Sequence, residues 1–288
     1  SIIITIVDDV PTATADVRSG VEGDTITLNV LANDVLGADG GAAGGAVVGV
    51  QTTGNPLQNV PTNSSTVING LYGTLTLTAD STAVYKSTPN LVTGATATDT
   101  FTYTIRDADG DQSTTTVTFN LTDSGLKVTS DAAAKVFENA LDTNKDGIDL
   151  APGTVTGSNP TSTAETVTGT LTGNTAGGVG PMTYTLQSSA TGTYGQLQLN
   201  ANGQYTYTLT SAPKTTPGAD NGANDVLGET FTYQVKDSLG NTTTGSIKIT
   251  IVDDVPTATA DVRSGVEGDT ISLNVLANDV LGADGGAA

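Results

Sequence analysis

The sequence predicts an all-β protein, built of β-sandwich domains in tandem. Three observations predict it. Short segments alternate apolar and polar residues with a period of two, Gly, Asn, Asp and Pro punctuate them, and a long internal repeat returns almost unchanged. Thr and Val dominate the alternating segments, and both suit the pleated, half-buried surface of a strand.

Taken in order, SIIITIV at the start already reads as a strand, so residues 1–8 are expected to be the last strand of a preceding domain. TLTLTAD (74–80), TFTYTIRD (100–107) and TVTFNLTD (116–123) follow, then GQLQLNANGQYTYTLT (195–210), TFTYQVKD (230–237) and GSIKITIVDD (245–254). Within 195–210, the ANG at 201–203 separates two alternating runs and reads as a tight hairpin turn. DAAAKVFENAL (131–141) departs from the pattern: its alanines could form a short helix, but the strand-rich residues around it argue against one.

The repeat sets the domain plan. ITIVDDVPTATADVRSGVEGDTITLNVLANDVLGADGGAA begins at Ile4 and returns at Ile249, with Thr27 against Ser272 as the one difference. A weaker repeat lies inside it: FTYTIRDADGD (101–111) matches FTYQVKDSLGN (231–241), and YGTLTLTADSTAVY (72–85) matches YGQLQLNANGQYTY (194–207). Two diverged domains therefore alternate, a first sandwich at 9–123 and a second at 124–253, with 254–288 the truncated start of another first-type domain. Near-identity that extends through the loops exceeds what a fold requires. It points to recent duplication in an array of nearest-neighbour modules.

Composition narrows the chemistry. Thirty acidic and 10 basic residues give a net charge of −20. Nucleic acid is excluded as a partner, because phosphate binding needs Lys/Arg patches, and no apolar run is long enough for a membrane-spanning helix. The chain has no Cys and no His, so it can build neither a thiol nucleophile, a Ser-His pair nor a zinc site of the usual ligands. A carboxylate-only glycosidase remains open in principle. No acidic pair stands out beside an apolar wall, so the sequence reads as a non-enzyme.

The carboxylates gather. In a sandwich the last two strands form a hairpin, and the final strand leaves toward the next domain. The tip RDADGD, carrying Asp107, Asp109 and Asp111, then lies at the opposite end, where the chain enters beside Asp8 and Asp9. In the second domain the same logic brings Asp237 and Asn241 toward Asp123, with Glu138 a short way along. Asp253 and Asp254 repeat the entry pair. Like charges at this density repel, and few basic residues are at hand to neutralise them. Many oxygen ligands in one place suit Ca²⁺, which takes six to eight. DTNKDGID (142–149) is a second calcium candidate: Asp142, Asn144 and Asp146, with Gly147 for the turn and Asp149 beyond it, copy the first half of an EF-hand loop. The copy then fails, because its twelfth position is Gly153 rather than Glu.

NVLANDVLGADG (29–40), YGTLTLTAD and DTFTYTIRDADGD resemble the bacterial cadherin-like and VCBS-type repeats, and the alternating modules with VDDVP junctions resemble the extender repeats of giant RTX adhesins of Gram-negative bacteria. The resemblance covers both modules and is weaker in the second, where the tip reads KDSLGN. It implies Ig-like or cadherin-like sandwiches in an elongated array, exported by type I secretion to the cell surface. It also implies calcium at the linkers that stiffens the array and projects distal adhesive domains in adhesion and biofilm formation. The family's junction pattern maps onto Asp8, Asp9, Glu22, Asp107 and Asp109, with Glu267 repeating Glu22. The implied partners are neighbouring repeats of the same chain, a monomer otherwise, with the distal ligand unspecified. The rival expectation is a ligand- or carbohydrate-binding module in which Tyr72, Tyr85, Tyr184 and Tyr194 stack on a sugar ring.

Overall fold

The computed structural model describes residues 2–4, 7–213 and 226–285. Contacts divide the chain into two compact units. The first comprises 1–125 with 178–180 and 237–242, and the second comprises 126–177, 181–236 and 243–288. Strands carry both, and no α-helix occurs among the described residues. No helix among them is long and apolar enough to cross a membrane.

The first unit contains β1 (Asp16–Val21), β2 (Thr25–Asn29), β3 (Val47–Thr52), β4 (Gln58–Asn59), β5 (Ser65–Asn69), β6 (Gly73–Thr78), β7 (Thr82–Ser87), β8 (Thr96–Arg106) and β9 (Gln112–Thr122). They form two sheets, β1-β9-β8-β3-β4 and β2-β7-β6-β5. The period-two pattern explains the sandwich: in β6 the leucines point inward and the threonines outward. Leu75, Leu77 and Tyr85 from one sheet meet Phe101, Phe119 and Leu121 from the other in a single buried core. There Tyr85 stacks on Phe119, with ring centroids 4.2 Å apart. β1 runs parallel to β9, from Asp16 opposite Val117 to Val21 opposite Thr122.

The second unit holds β10 (Lys127–Val128), β11 (Asp131–Phe137), β12 (Thr166–Thr170), β13 (Thr175–Ala176), β14 (Thr183–Leu186), β15 (Gly195–Leu199), β16 (Gln204–Leu209), β17 (Val226–Lys236) and β18 (Thr242–Val252). Its sheets are β11-β18-β17-β14 and β12-β16-β15, with a small β10-β13 pair. The predicted turn at 201–203 is present, with Gly203 at φ +87° between β15 and β16.

The alanine-rich stretch is a strand, as the strand-rich residues around it argued. Residues 131–137 form strand β11, parallel to β18, and only Glu138–Ala140 turn, as a single 3₁₀ turn. Helix propensity is a weak prior. Here Ala134 and Val136 alternate inward into the core, and a hydrogen bond from Tyr205 Oη holds the buried Asp131 carboxylate at 2.8 Å.

The weak internal repeat is visible in the core chemistry. Tyr85 Oη donates to Asp99 at 2.6 Å, and Tyr207 Oη donates to Glu229 at 2.7 Å. These carboxylates also accept the backbone N–H of Tyr72 and Tyr194, at 2.9 and 2.6 Å. The two units differ after their first strand. In the first unit residues 22–24 join β1 to β2, whereas in the second residues 138–165 join β11 to β12.

The long repeat folds unequally. Ile249 and Ile251 are buried in β18, whereas the described residues of 1–8 form no strand, and Ile2–Ile4 are exposed. Ser1, Thr5 and Ile6 lie outside the described residues, so the expected strand at 1–8 falls partly there. Conversely, 16–29 carry β1 and β2, while 261–274 carry no strand. What both copies share is local: isolated bridges join Thr12 to Val35 and Thr257 to Val280.

Candidate metal centres

Three groups of carboxylates converge among the described residues, each with oxygens within 4.8 Å of one another: Asp8, Asp109 and Asp111; Glu138, Asp253 and Asp284; and Asp146, Asp149 and Glu165.

The first group lies where the chain enters the first unit. The turn between β8 and β9 closes with Asp107 N–H donating to the Asp111 carbonyl at 3.1 Å. Asp107 Oδ1 accepts the N–H groups of Gly110 and Asp111, at 2.9 and 2.7 Å. Its other oxygen, Oδ2, is buried with no hydrogen-bond partner. Burial pushes the Asp107 carboxyl up, yet its contact with Asp109 and the N–H groups of Gly110 and Asp111 together hold it below its ordinary value. Asp109, in carboxyl-to-carboxyl contact with Asp107, is pushed up to about 6. Asp111 is raised chiefly by its contact with Asp8. Carboxyls in such contact must share protons or share a cation. Asp9 stands apart from this group, accepting the Ala38 N–H at 2.9 Å. Gly37, at φ +78°, lies so close over Asp9 that a Cβ there would come within 2.4 Å of the Asp9 carbonyl oxygen.

The corresponding tip in the second half of the weak repeat is chemically different. Asp237 Oδ1 again accepts two turn amides, from Leu239 and Asn241, both at 2.9 Å. But Asp237 Oδ2 accepts the Asn241 side-chain amide at 2.9 Å and the Val179 N–H at 3.1 Å. An amide stands where the first tip has Asp111, and it satisfies the oxygen that Asp107 leaves bare.

Glu22 is not at the entry cluster. It follows β1, and because β1 runs parallel to β9 it lies beside the exit of that strand. Its carboxylate accepts the Val92 N–H at 3.2 Å, and the Ser124 N–H and hydroxyl at 3.2 and 3.1 Å. Asp123 is exposed and accepts the Gly125 N–H at 2.9 Å. Glu267, the repeat of Glu22, is exposed and joins no cluster.

Glu138 follows β11 as Glu22 follows β1, and it does meet other carboxylates, those of Asp253 and Asp284. It is 2% exposed. Burial first, then the charges of Asp284 and Asp253, push it up to about 8 despite a hydrogen bond from the Asp254 N–H at 3.3 Å. Asp254 itself is held by Ser158, through N–H at 2.8 Å and the hydroxyl at 2.6 Å. Asp284 is the repeat of Asp39, and pattern alone did not single it out.

The third group takes in half of the EF-like loop. Asp146 and Asp149 meet Glu165, a residue absent from any sequence motif, while Asp142 and Asn144 stay at the rim, with the Asn144 N–H donating to Asp142 at 2.7 Å. The loop's twelfth position is glycine for a steric reason: a Cβ on Gly153 would come within 2.5 Å of the Asp142 carbonyl oxygen.

The bacterial Ig domain family matches residues 8–120 and again 149–250. The chain belongs to that family. These Ig domains are also similar to a calcium-binding lectin, RapA2, of Rhizobium johnstonii, 38% identical over 97 residues that make up 33% of this chain and 39% of the lectin. Among solved structures, Drosophila N-cadherin EC1-4 is similar at 10% identity and a TM-score of 0.28, over 84% of this chain and 49% of that one. The endo-fucoidan hydrolase MfFcnA4 scores 0.27 at 14% identity, over 85% of this chain and 29% of that one. Scores this low carry no inference about activity. Two tandem Ig-like sandwiches, with acidic clusters that could hold a metal, are what the fold and the family together establish.

Proposed function

We propose that these tandem Ig domains are an extender segment of a secreted bacterial surface adhesin, stiffened by Ca²⁺ at the junctions between successive domains. The observation that carries this reading is the bare, buried Oδ2 of Asp107, beside a cluster that joins the linker residue Asp8 to the hairpin tip. Asp253 and Asp284 repeat Asp8 and Asp39, so the first two clusters supply complementary parts of one junction. In a longer array, the linker carboxylate would be flanked by the glutamate that follows the first strand of one domain and by the hairpin tip of the next. A hard cation of high coordination number fits that all-oxygen donor set. Filled, the junction holds neighbouring domains at a fixed angle. Empty, the carboxylates repel, and linkers with few contacts default to mobility.

The tip at 237–241 and Glu22 find their partners within the protein, so calcium stiffening is assigned to the second-to-first junctions and not to the one at Asp123. Small-angle scattering with EDTA and then with millimolar calcium tests the reading on an array carrying one complete second-to-first junction. The expected result is lengthening and narrowing of the distance distribution on calcium addition, lost in Asp107→Asn/Asp109→Asn. Identical curves with and without calcium would overturn it.

A carbohydrate-binding role is the second reading, favoured by the lectin likeness. The tyrosines weaken it, since Tyr85 and Tyr184 are buried in the two cores. Binding of the isolated chain on a glycan array would restore it.

A further inference from the structure

We infer that the second Ig domain carries a calcium site of its own, away from any junction, in which Glu165 joins Asp146 and Asp149 and clips the 138–165 insertion to the sandwich. Three features of the chain place these carboxylates together. Glu165 immediately precedes β12, and its carbonyl accepts the Leu209 N–H of β16 at 2.8 Å, so a paired strand fixes its backbone. Asp149 is buried, and one of its oxygens accepts the Thr166 hydroxyl at 2.6 Å. The Asp149 N–H donates to the Asp146 carbonyl at 3.0 Å, which folds the loop back on itself.

What points to a cation is the set of oxygens left over. Glu165 is 3% exposed, and neither of its carboxylate oxygens has a hydrogen-bond partner. Asp146 Oδ1 is likewise buried and unpartnered. One oxygen each from Asp146, Asp149 and Glu165 lies within 4.8 Å of the others, and leaving such groups unsatisfied in a protein interior is costly. Among the described residues no lysine or arginine makes an ion pair with them, and carboxylates cannot donate to one another when ionised. A divalent cation with oxygen ligands removes the cost, and an irregular set of ligands suits calcium, whose coordination geometry is adaptable, better than magnesium, which demands near-ideal octahedral ligands. The arrangement also accounts for the incomplete EF-like motif. Gly153 is barred from carrying a glutamate by the Asp142 carbonyl, and Glu165 arrives from the far end of the insertion in its place. The first domain has only residues 22–24 at this position and no counterpart of the site.

The test is hydrogen exchange by mass spectrometry on the whole chain, with calcium chloride as the probe, for the native sequence and for Glu165→Gln. At calcium ten times its dissociation constant, amides of 142–150 in the native chain are expected to slow by about tenfold. Glu165→Gln keeps the shape and supplies a donor, so it should lose that response yet exchange no faster than the native chain without calcium. In the same variant, protection around 107–111 should still respond to calcium, which separates this site from the junction. If Glu165→Gln does not fold, Asp146→Asn is read in the same way. Calcium-independent exchange of 142–150 in the native chain, or an undiminished response in both variants, overturns the inference. Equal protection by magnesium at the same concentration overturns the assignment to calcium.

Discussion

Leu28 is 7% exposed in β2, while Leu273, its repeat, is 40% exposed and in no strand; Val30 is fully buried, while Val275 is 58% exposed. At the other edge of the repeat the inequality is reversed, with Ile249 at 1% and Ile4 at 80%. One sequence, met twice, is ordered in complementary pieces. The repeat begins in the last strand of one domain and runs on into the first strands of the next, so its boundary and the domain boundary do not coincide. Strands β1 and β2 exist because β9 and β7 pair with them, and no copies of β7 or β9 follow residue 254 within these 288 residues. A strand is thus a property of a pairing, and its local sequence is only permission.

The comparison can be broken most forcefully in the cores. Ile249→Ala is expected to cost about 2–5 kcal/mol of the second unit's stability by opening a cavity, and Leu28→Ala a similar amount in the first. Ile4→Ala and Leu273→Ala should stay within about 0.5 kcal/mol. Urea unfolding of the four variants checks this, and equal losses within either pair would refute the assignment of the copies.

Next in size is a test of the two hairpin tips. Asp111→Asn would give the first tip the amide that satisfies Asp237 in the other. Without calcium its melting temperature should rise, and the shift produced by adding calcium should shrink, as calorimetry in EDTA and in calcium would reveal.

A smaller effect is expected with pH. Asp109 sits at about 6 and Glu138 at about 8 in the folded chain, both above their ordinary values. Groups raised in this way bind more protons folded than unfolded. Their contribution is therefore full at low pH and is lost as pH climbs through about 6 and then about 8. The metal-free chain should accordingly melt higher at pH 5 than at pH 8, and calcium should narrow that gap, because the ion competes with the protons. A melting temperature that climbs steadily with pH in EDTA would contradict this.

The smallest difference concerns the local turn that both copies share. Gly282, at φ +76°, packs over the Asp254 carbonyl as Gly37 packs over Asp9. Gly37→Ala should lower the first unit's melting temperature, whereas Gly282→Ala should loosen only its own turn, read as faster amide exchange near 280–285.

Much of this was legible before any coordinates. Alternation located the long hairpins, and the weak repeat correctly paired the tips at 107–111 and 237–241. The meeting of Asp8 with Asp109 and Asp111 followed from strand direction alone. Glu22 was harder: its place depends on β1 running parallel to β9, which sends the end of β1 toward the exit, and no pattern in 16–22 carries that information. Glu165 was illegible because its proximity to Asp149 arises from an irregular insertion folding back on a sheet edge, where no periodicity applies. The alanines of 131–137 left a short helix open, and what closes that option is a parallel partner more than a hundred residues away.

The parallel β1-β9 ladder has a bearing on load. A pull transmitted through the chain would draw the start of β1 and the end of β9 in opposite directions along their common axis. The rungs from Asp16–Val117 to Val21–Thr122 lie across that line, so they would be strained together in shear instead of opening one at a time like a zip. β11 and β18 repeat the geometry in the second unit. Each sandwich is therefore clamped by the same ladder that receives the force.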